Sequence, residues 1–383
     1  MRIVVYDQRH YEMVNVLFRI FNTEENEILF LVSETLHKKL NAESGKDLLK
    51  HKFLVQGGNE RSADYFAKCN SEIKTFAPDF LLLNTIDKDY KDVWRFLKKT
   101  NIPYAITVHN INTWLNPPFT LNSLALKNYF FRKKIVKKSA MLVVQEELFT
   151  GHIQKNNLYK KPVITIPHTL KESEPVNNLN KKIVITIPGA IDGVRRDTDL
   201  ALDVIEEVNK QSDRFQFVFA GNVLGHLGKP IWERAILLQK QGLDIQQFYD
   251  ATSNKVFDEQ MKRCDLVFLP LNVNTKFEGI PEIYGTTKVT GVIYDMMRFC
   301  KPGIVPAAMT VPPTMTTGIL CYQNKKELTE IILSLANNKN KLEELTNAAK
   351  KNSQYYTESE IRKRVMPEIQ KKLLFLKTKA EEK

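Results

Sequence analysis

A short apolar run followed by an amphipathic helical stretch recurs along almost the whole chain. No other feature of the sequence constrains the fold as tightly. In the first half the runs fall at residues 2–6, 28–32, 52–55, 79–84, 103–108, 141–144 and 162–166. Several, such as Asp79-Phe80-Leu81-Leu82-Leu83-Asn84, are continuously apolar, as a parallel strand covered on both faces must be. Helical stretches at 11–21, 60–76, 89–99, 120–138 and 146–156 separate them. This order predicts a parallel sheet with helices on both faces.

Residues 171–182 break the pattern: they are polar, aperiodic and contain Pro175. The alternation then restarts, with strands expected at 183–187, 215–220, 245–249, 265–269, 303–305 and 319–322. Helices are expected near 198–210, 230–241, 255–263, 287–300, 325–337 and 339–352. The reading is therefore two Rossmann-like domains, 1–170 and 183–355, joined by a 171–182 linker and facing across a cleft. Thr357-Glu358-Ser359-Glu360 fits a capping box that opens a last helix. Pro367 should kink that helix, because it lacks an N–H and clashes with the preceding turn. Val365, Ile369, Leu373 and Leu376 recur on one face, so the 356–383 segment is expected to pack back on the first domain.

Composition excludes several classes. The 383 residues, 43% hydrophobic and 26% charged, suit an ordered globular chain and not a disordered or collagen-like one. No apolar run reaches the roughly 18 residues of a membrane span. Met1 leads straight into Ile3-Val4-Val5-Tyr6 without a charged leader, so the expectation is a cytoplasmic protein. Cys69, Cys264, Cys300 and Cys321 form no C-x-x-C pair, which argues against a zinc site or a disulfide framework. The net charge of +12 suits nucleic acid, an anionic membrane or phosphorylated small molecules, and an AT-rich genome would also produce it. Charge alone selects none of these.

Two motif-like segments fail. Gly221 to Pro230 ends in Gly-Lys but has Pro230 where a P-loop has Ser or Thr. No G-x-G-x-x-G follows the first strand. Asp87-Lys88-Asp89 and Asp197-Thr198-Asp199 read as helix caps.

Two segments carry more. Ile187-Pro188-Gly189-Ala190-Ile191-Asp192 ends the first strand of the second half, and Arg195 and Arg196 follow. Glycine lets backbone N–H groups approach a phosphate, and arginine adds charge. Farther on, Glu282-Ile283-Tyr284-Gly285-Thr286-Thr287-Lys288 is expected to open a helix that also carries Asp295. A helix N-terminus favours anions. Seven residues apart, Lys288 and Asp295 would share a face, one toward a diphosphate and the other toward a ribose.

The order of these segments resembles the GT-B glycosyltransferases, and most of all the retaining branch that carries two glutamates eight positions apart. Tyr104-Ala105-Ile106-Thr107-Val108-His109-Asn110 matches the strand ending in histidine. Val163 to His168 matches the run before the linker, and Phe217-Val218-Phe219-Ala220-Gly221 the strand with a glycine turn. Cys264 to Pro270 and Cys300-Lys301-Pro302 match two later pieces. Counted back from Pro302, the second glutamate falls on Asp295 and the first on Thr287, so Glu278 and Glu282 are the candidates to replace the first.

The resemblance implies transfer of one sugar from a nucleoside-diphosphate sugar to an acceptor hydroxyl, as in bacterial surface polysaccharide synthesis. It implies His109 and Glu282 as catalytic residues and Gly189, Arg195, Arg196, Thr286, Thr287, Lys288 and Asp295 as the donor site. Asp7, His10, Asn110 and Trp114 are the acceptor-side candidates. No metal or other cofactor is expected, because the cations supply the charge. A sugar-nucleotide epimerase or hydrolase, or a non-catalytic nucleotide- or glycan-binding protein, is the alternative. No nucleic-acid module is present to favour that partner. Residues 127–138 combine six cations with Tyr129, Phe130 and Phe131, which suggests peripheral contact with an anionic membrane and a glycan or lipid-linked acceptor.

Overall fold

The computed structural model describes residues 1–117, 123–172, 182–250 and 253–381. Residues 173–181 of the expected linker and 120–122 of the expected 120–138 helix lie outside them, as does the side chain of Leu376. The chain divides into two units.

The first unit comprises residues 1–169, 276–282 and 358–383. Its N-terminal part runs β1 (Arg2–Asp7), α1 (Tyr11–Phe21), β2 (Glu27–Ser33), α2 (Glu34–Ser44), β3 (Lys52–Gln56), α3 (Ser62–Phe76) and β4 (Phe80–Leu83). It continues through α4 (Tyr90–Thr100), β5 (Tyr104–Thr107), α5 (Ile111–Leu115), α6 (Ser123–Lys138), β6 (Met141–Val144), α7 (Glu147–Lys155) and β7 (Val163–Thr165). The strands form one sheet in the order β3-β2-β1-β4-β5-β6-β7, every pair parallel. Continuous apolarity explains the central strands: Ile3, Val4, Val5 and Phe80 to Leu83 are buried on both sheet faces. The order reverses between β1 and β4. Ligands of open α/β sheets bind at such switch points, beyond the strand carboxyl ends.

The second unit comprises residues 170–275 and 283–357. It contains β8 (Ile183–Pro188), α8 (Thr198–Gln211), β9 (Phe215–Ala220), α9 (Gly225–Lys240), β10 (Ile245–Gln247), α10 (Asn254–Arg263) and β11 (Leu266–Phe268). A small pair, β12 (Asn274–Phe277) and β13 (Ile280–Ile283), comes next, with residues 276–282 belonging to the first unit. Then follow α11 (Gly291–Arg298), β14 (Gly303–Pro306), β15 (Ile319–Tyr322), α12 (Lys325–Asn337) and α13 (Lys339–Ser353). The six-stranded sheet has the order β10-β9-β8-β11-β14-β15 and its switch point between β8 and β11. Its core packs Phe217, Phe219 and Phe268 under Leu202, Ile205, Leu328 and Ile332.

The last helix, α14 (Glu358–Glu381), is kinked, contains Pro367 and belongs to the first unit. It packs on α1 and β7. Ile361, Val365, Ile369 and Leu373 are buried, while Glu358 pairs with Arg19 at 2.9 Å. Arg362 donates to the carbonyls of Arg19 (2.6 Å) and Ile20 (3.1 Å), satisfying groups at the open end of α1.

Some expectations need correction. The helix expected over 287–300 begins only at Gly291. Ahead of it the amides of Thr286, Thr287 and Lys288 all donate to the Ile283 carbonyl, and Gly285 N–H donates to Lys288 O at 2.8 Å, so a tight turn replaces the expected first helical turn. Asp89 stands at the start of α4, but its carboxylate accepts from Ser62 Oγ at 2.6 Å and caps nothing. Asp197 does cap, accepting from Leu200 N at 3.0 Å. Among the described residues no helix is long and apolar enough to cross a membrane.

Candidate functional site

In the first unit the loops after β1, β4, β5 and β7 bring polar groups together. Asp7 is fully buried at the end of β1. Its Oδ1 accepts from Arg9 N at 2.6 Å and His10 N at 2.9 Å, and Oδ2 accepts from the Asn84 amide. Burial pushes its pKa up against these bonds. Asp7, an acceptor-side candidate, is thus engaged in shaping the loop that carries His10. His10 Nδ1 lies 2.6 Å from Thr85 Oγ1.

The His10 and His109 rings are 5.3 Å apart, and His168 stands 6.4 and 6.1 Å from them, edge-on to both. The Gln145 amide donates to His109 Nδ1 at 2.8 Å, so the neutral His109 ring carries its proton on Nε2. Desolvation, outweighing the attraction of Glu12, lowers the His168 pKa to about 4 and keeps that ring neutral at pH 7. Sequence reading did not single out His168 as a site residue. The signal available was its place at the carboxyl end of a predicted strand.

The acceptor-side candidates Asn110 and Trp114 are also buried, Trp114 edge-on to Tyr90 at 5.9 Å. Glu282 is 1% exposed. Its Oε1 accepts from Thr113 N and Thr113 Oγ1, both at 2.8 Å, and Oε2 accepts from Asn112 N at 3.4 Å. The carboxylate expected to be catalytic therefore caps the N-terminus of α5. Glu278 pairs with Arg132 at 2.6 Å. Both candidate replacements for the first glutamate are engaged within the first unit.

In the second unit the loops after β8 and β9 meet closely. Gly189 has φ +95°, and a Cβ there would collide with the Arg196 guanidinium. A Cβ on Gly221 would strike the Gly189 carbonyl. Only glycine fits either place. The two neighbouring arginines then diverge. Arg195 Nε pairs with Asp192 at 2.5 Å, while Asp192 also accepts the amides of Val194 (3.0 Å) and Arg195 (2.9 Å). Arg196 is half-buried with no carboxylate paired to it among the described residues. Its NH1 donates weakly to Ala190 O at 3.4 Å, and its buried Nε has no partner. Desolvation and then repulsion from Arg195 lower its pKa, only partly offset by Asp192, Tyr284 and Asp295. A guanidinium stays charged even so, and a buried, underpaired cation calls for an anion.

The other donor-site candidates surround the turn and helix start. Thr287 is buried, its hydroxyl accepting from Ile283 N at 2.8 Å, and Thr286 holds the turn through its backbone. Lys288 precedes α11 instead of beginning it, its ammonium 5.9 Å from the Tyr284 ring centroid. Asp295 lies inside α11 and acts electrostatically on Arg196. Lys288 and Asp295 therefore do not share a helical face. Thr290 makes no side-chain cap at the start of α11, where Ile293 N donates to the Thr290 carbonyl at 3.3 Å. Among the described residues no group of three or more His, Cys, Asp or Glu is placed to hold a metal ion.

Two parallel α/β sheets, each with its switch point beside its first strand, and a last helix returning to the first unit make this a GT-B fold. Solved structures share it over nearly the whole chain. HepE of Anabaena, in complex with UDP, is 13% identical with a TM-score of 0.65, covering 97% of this chain and 100% of that one. Sucrose-phosphate synthase of Thermosynechococcus elongatus is 10% identical with a TM-score of 0.63, covering 98% and 100%. The UDP-GlcNAc 2-epimerase of Neisseria meningitidis, bound to UDP-GlcNAc, is 13% identical with a TM-score of 0.61, covering 97% and 100%. At these identities the likeness is one of fold. No protein-family model and no curated protein matches the sequence.

Proposed function

We propose that the protein is a glycosyltransferase that moves one sugar from a nucleoside-diphosphate sugar to an acceptor hydroxyl. The observation that carries this reading is Arg196, a half-buried guanidinium at the carboxyl end of β8 with no carboxylate paired to it among the described residues. The diphosphate is the anion it takes, with the first amides of α11 and the Lys288 ammonium as further donors and Asp295 as acceptor for ribose hydroxyls. UDP or a UDP-sugar is bound in several proteins of the same fold, HepE and the Neisseria epimerase among them.

In the transfer the bond from the anomeric carbon to the diphosphate oxygen breaks and one to the acceptor oxygen forms. The leaving electron pair stays on the diphosphate, where the cations stabilise it without a bound metal. The acceptor proton passes to a base, for which His10 is the first unit's suited group, while the Nε2–H of His109 can donate to a sugar oxygen.

The acceptor is a surface glycan precursor on a lipid carrier, met at the inner face of the membrane. Support comes from α6, where Leu124 and Phe130 are 64% and 51% exposed beside Lys127, Lys133 and Lys137. Cations near anionic lipid contribute about 1 kcal/mol each. Equal sedimentation with neutral and anionic vesicles would remove this part of the proposal.

The experiment for the donor is calorimetric titration with UDP and GDP. A diphosphate that binds wild type and is lost in Arg196→Ala supports the reading, and no binding of either defeats it. A second reading, epimerisation, is favoured by the UDP-GlcNAc 2-epimerases of the same fold. Conversion of UDP-GlcNAc to UDP-N-acetylmannosamine without an acceptor would select it.

A further inference from the structure

Residues 276–282 lie in sequence between two stretches of the second unit, yet belong to the first. Two carboxylates fasten them there. At the hairpin tip Glu278 and Gly279 both have positive φ, 49° and 79°. Glu278 pairs with Arg132, whose side chain is 4% exposed and whose guanidinium lies 5.4 Å from the Tyr90 ring centroid. At the other end Glu282 receives its three bonds from Asn112 and Thr113, and Asn112 Nδ2 donates to Pro281 O at 3.0 Å. The opening amides of a helix have no intrahelical acceptor, and a carboxylate answers both that need and the positive dipole end. These groups hold the start of α5, two residues beyond His109.

On its other side Glu282 has almost no slack. Tyr284 N–H is bonded to Val273 O at 2.9 Å and opens the turn that leads through Lys288 into α11. One residue, Ile283, separates the two anchors, and successive Cα atoms are fixed about 3.8 Å apart. Any movement of the turn is therefore passed toward Glu282 through a single residue.

We infer that Glu282 is a positioning residue that ties nucleotide occupancy of residues 283–298 to the order of residues 109–115, and so to His109. The inference rests on the proposed nucleotide role of 283–298. It gives Glu282 a part in catalysis that requires no contact with sugar: binding of the diphosphate settles the turn, the turn fixes Glu282, and Glu282 fixes the segment carrying His109.

The test is hydrogen exchange on the full chain with and without UDP, read as the ratio of the two rates for each segment. A carboxylate with only a structural role alters the nucleotide-free rate and leaves that ratio alone. In wild type UDP should slow exchange at least threefold in both 283–298 and 109–115. Glu282→Ala should keep the response of 283–298 and lose that of 109–115. Glu282→Gln should fall between, since the amide oxygen still accepts from Thr113 but its NH2 cannot accept from Asn112. Thr113→Val gives a milder loss and guards against a variant that fails to fold. An unchanged response at 109–115 in Glu282→Ala and Thr113→Val would overturn the coupling and leave the nucleotide site standing. Absence of any UDP response at 283–298 in wild type would overturn both.

Discussion

The loops after β1 and after β8 occupy the same place in two sheets of the same topology, and their charges are used in opposite ways. After β1 the loop's carboxylate, Asp7, turns inward and is saturated by Arg9 N, His10 N and Asn84. After β8 the acidic residue, Asp192, neutralises one arginine, and the next, Arg196, has no paired carboxylate among the described residues. One loop is complete as it stands and presents imidazoles; the other lacks an anion. A switch point alone defines where a ligand sits, and the leftover charge defines which ligand it is.

The sharpest way to separate the two units is to end the chain before Glu358. Ile361, Val365, Ile369 and Leu373 would then leave the first unit, and burying each contributes roughly 1.5–3 kcal/mol. Such a loss rivals the roughly 5–15 kcal/mol that stabilises a whole domain. The first unit should melt far earlier while the second keeps its own transition, and a single unchanged transition in calorimetry would contradict this. Asp7→Ala comes next. It leaves the buried Asn84 amide without its acceptor and should cost about 3 kcal/mol by denaturant unfolding. A cost below about 1 kcal/mol would mean that the loop does not depend on Asp7.

Arg196→Ala should act in the opposite sense. UDP affinity should fall about ten- to a hundredfold by calorimetry, yet melting temperature should hold or rise, because a desolvated cation without a carboxylate is removed. Loss of stability together with unchanged UDP affinity would reverse the contrast between the loops. Lys288→Ala should weaken UDP by about two- to fivefold, as a half-buried ammonium ahead of the helix contributes as a flexible point charge.

The last effect is absent at neutral pH and grows only in acid. The folded pKa of His168 is depressed from 6.5 to about 4, so folding favours its neutral form. That contribution is complete above pH 6.5 and is lost as pH falls toward 4, where the unfolded chain binds the extra proton. His51, also lowered to about 4, adds to the same slope. His168→Gln should flatten the fall in unfolding free energy between pH 6.5 and 4 without abolishing it.

How much of this was legible in the sequence depended on the range of the interaction. The strands were, since Phe80-Leu81-Leu82-Leu83 has only one way to be covered on both faces. The β12–β13 hairpin was missed because its two positive-φ turn residues are Glu278-Gly279, and glutamate is outside the Asn-Gly and Asp-Gly pairs that mark such turns. Thr286, Thr287 and Thr290 were read into a helix, where β-branched residues sit poorly and hydroxyls compete for the backbone. The two arginines looked equivalent, and only the three-residue spacing from Asp192 to Arg195 hinted which would be neutralised. His10 and His168 are far apart in the chain, and no periodicity could bring their rings to 6.4 Å. Glu282 was found as a chemically interesting carboxylate, but its partners on α5 depend on tertiary placement that the local pattern does not contain.

The discontinuous first unit also sets a timetable during synthesis. Its seven strands leave the ribosome by residue 165, but the helix that covers α1 and β7 starts at residue 358. At the usual elongation rates of about 5–20 residues per second, the nascent sheet waits roughly 10–40 s for that cover. The second unit, whose parts lie between, can finish first. The half of the protein made earliest is thus the last to be completed, and its uncovered flank is the surface a chaperone would meet on the growing chain.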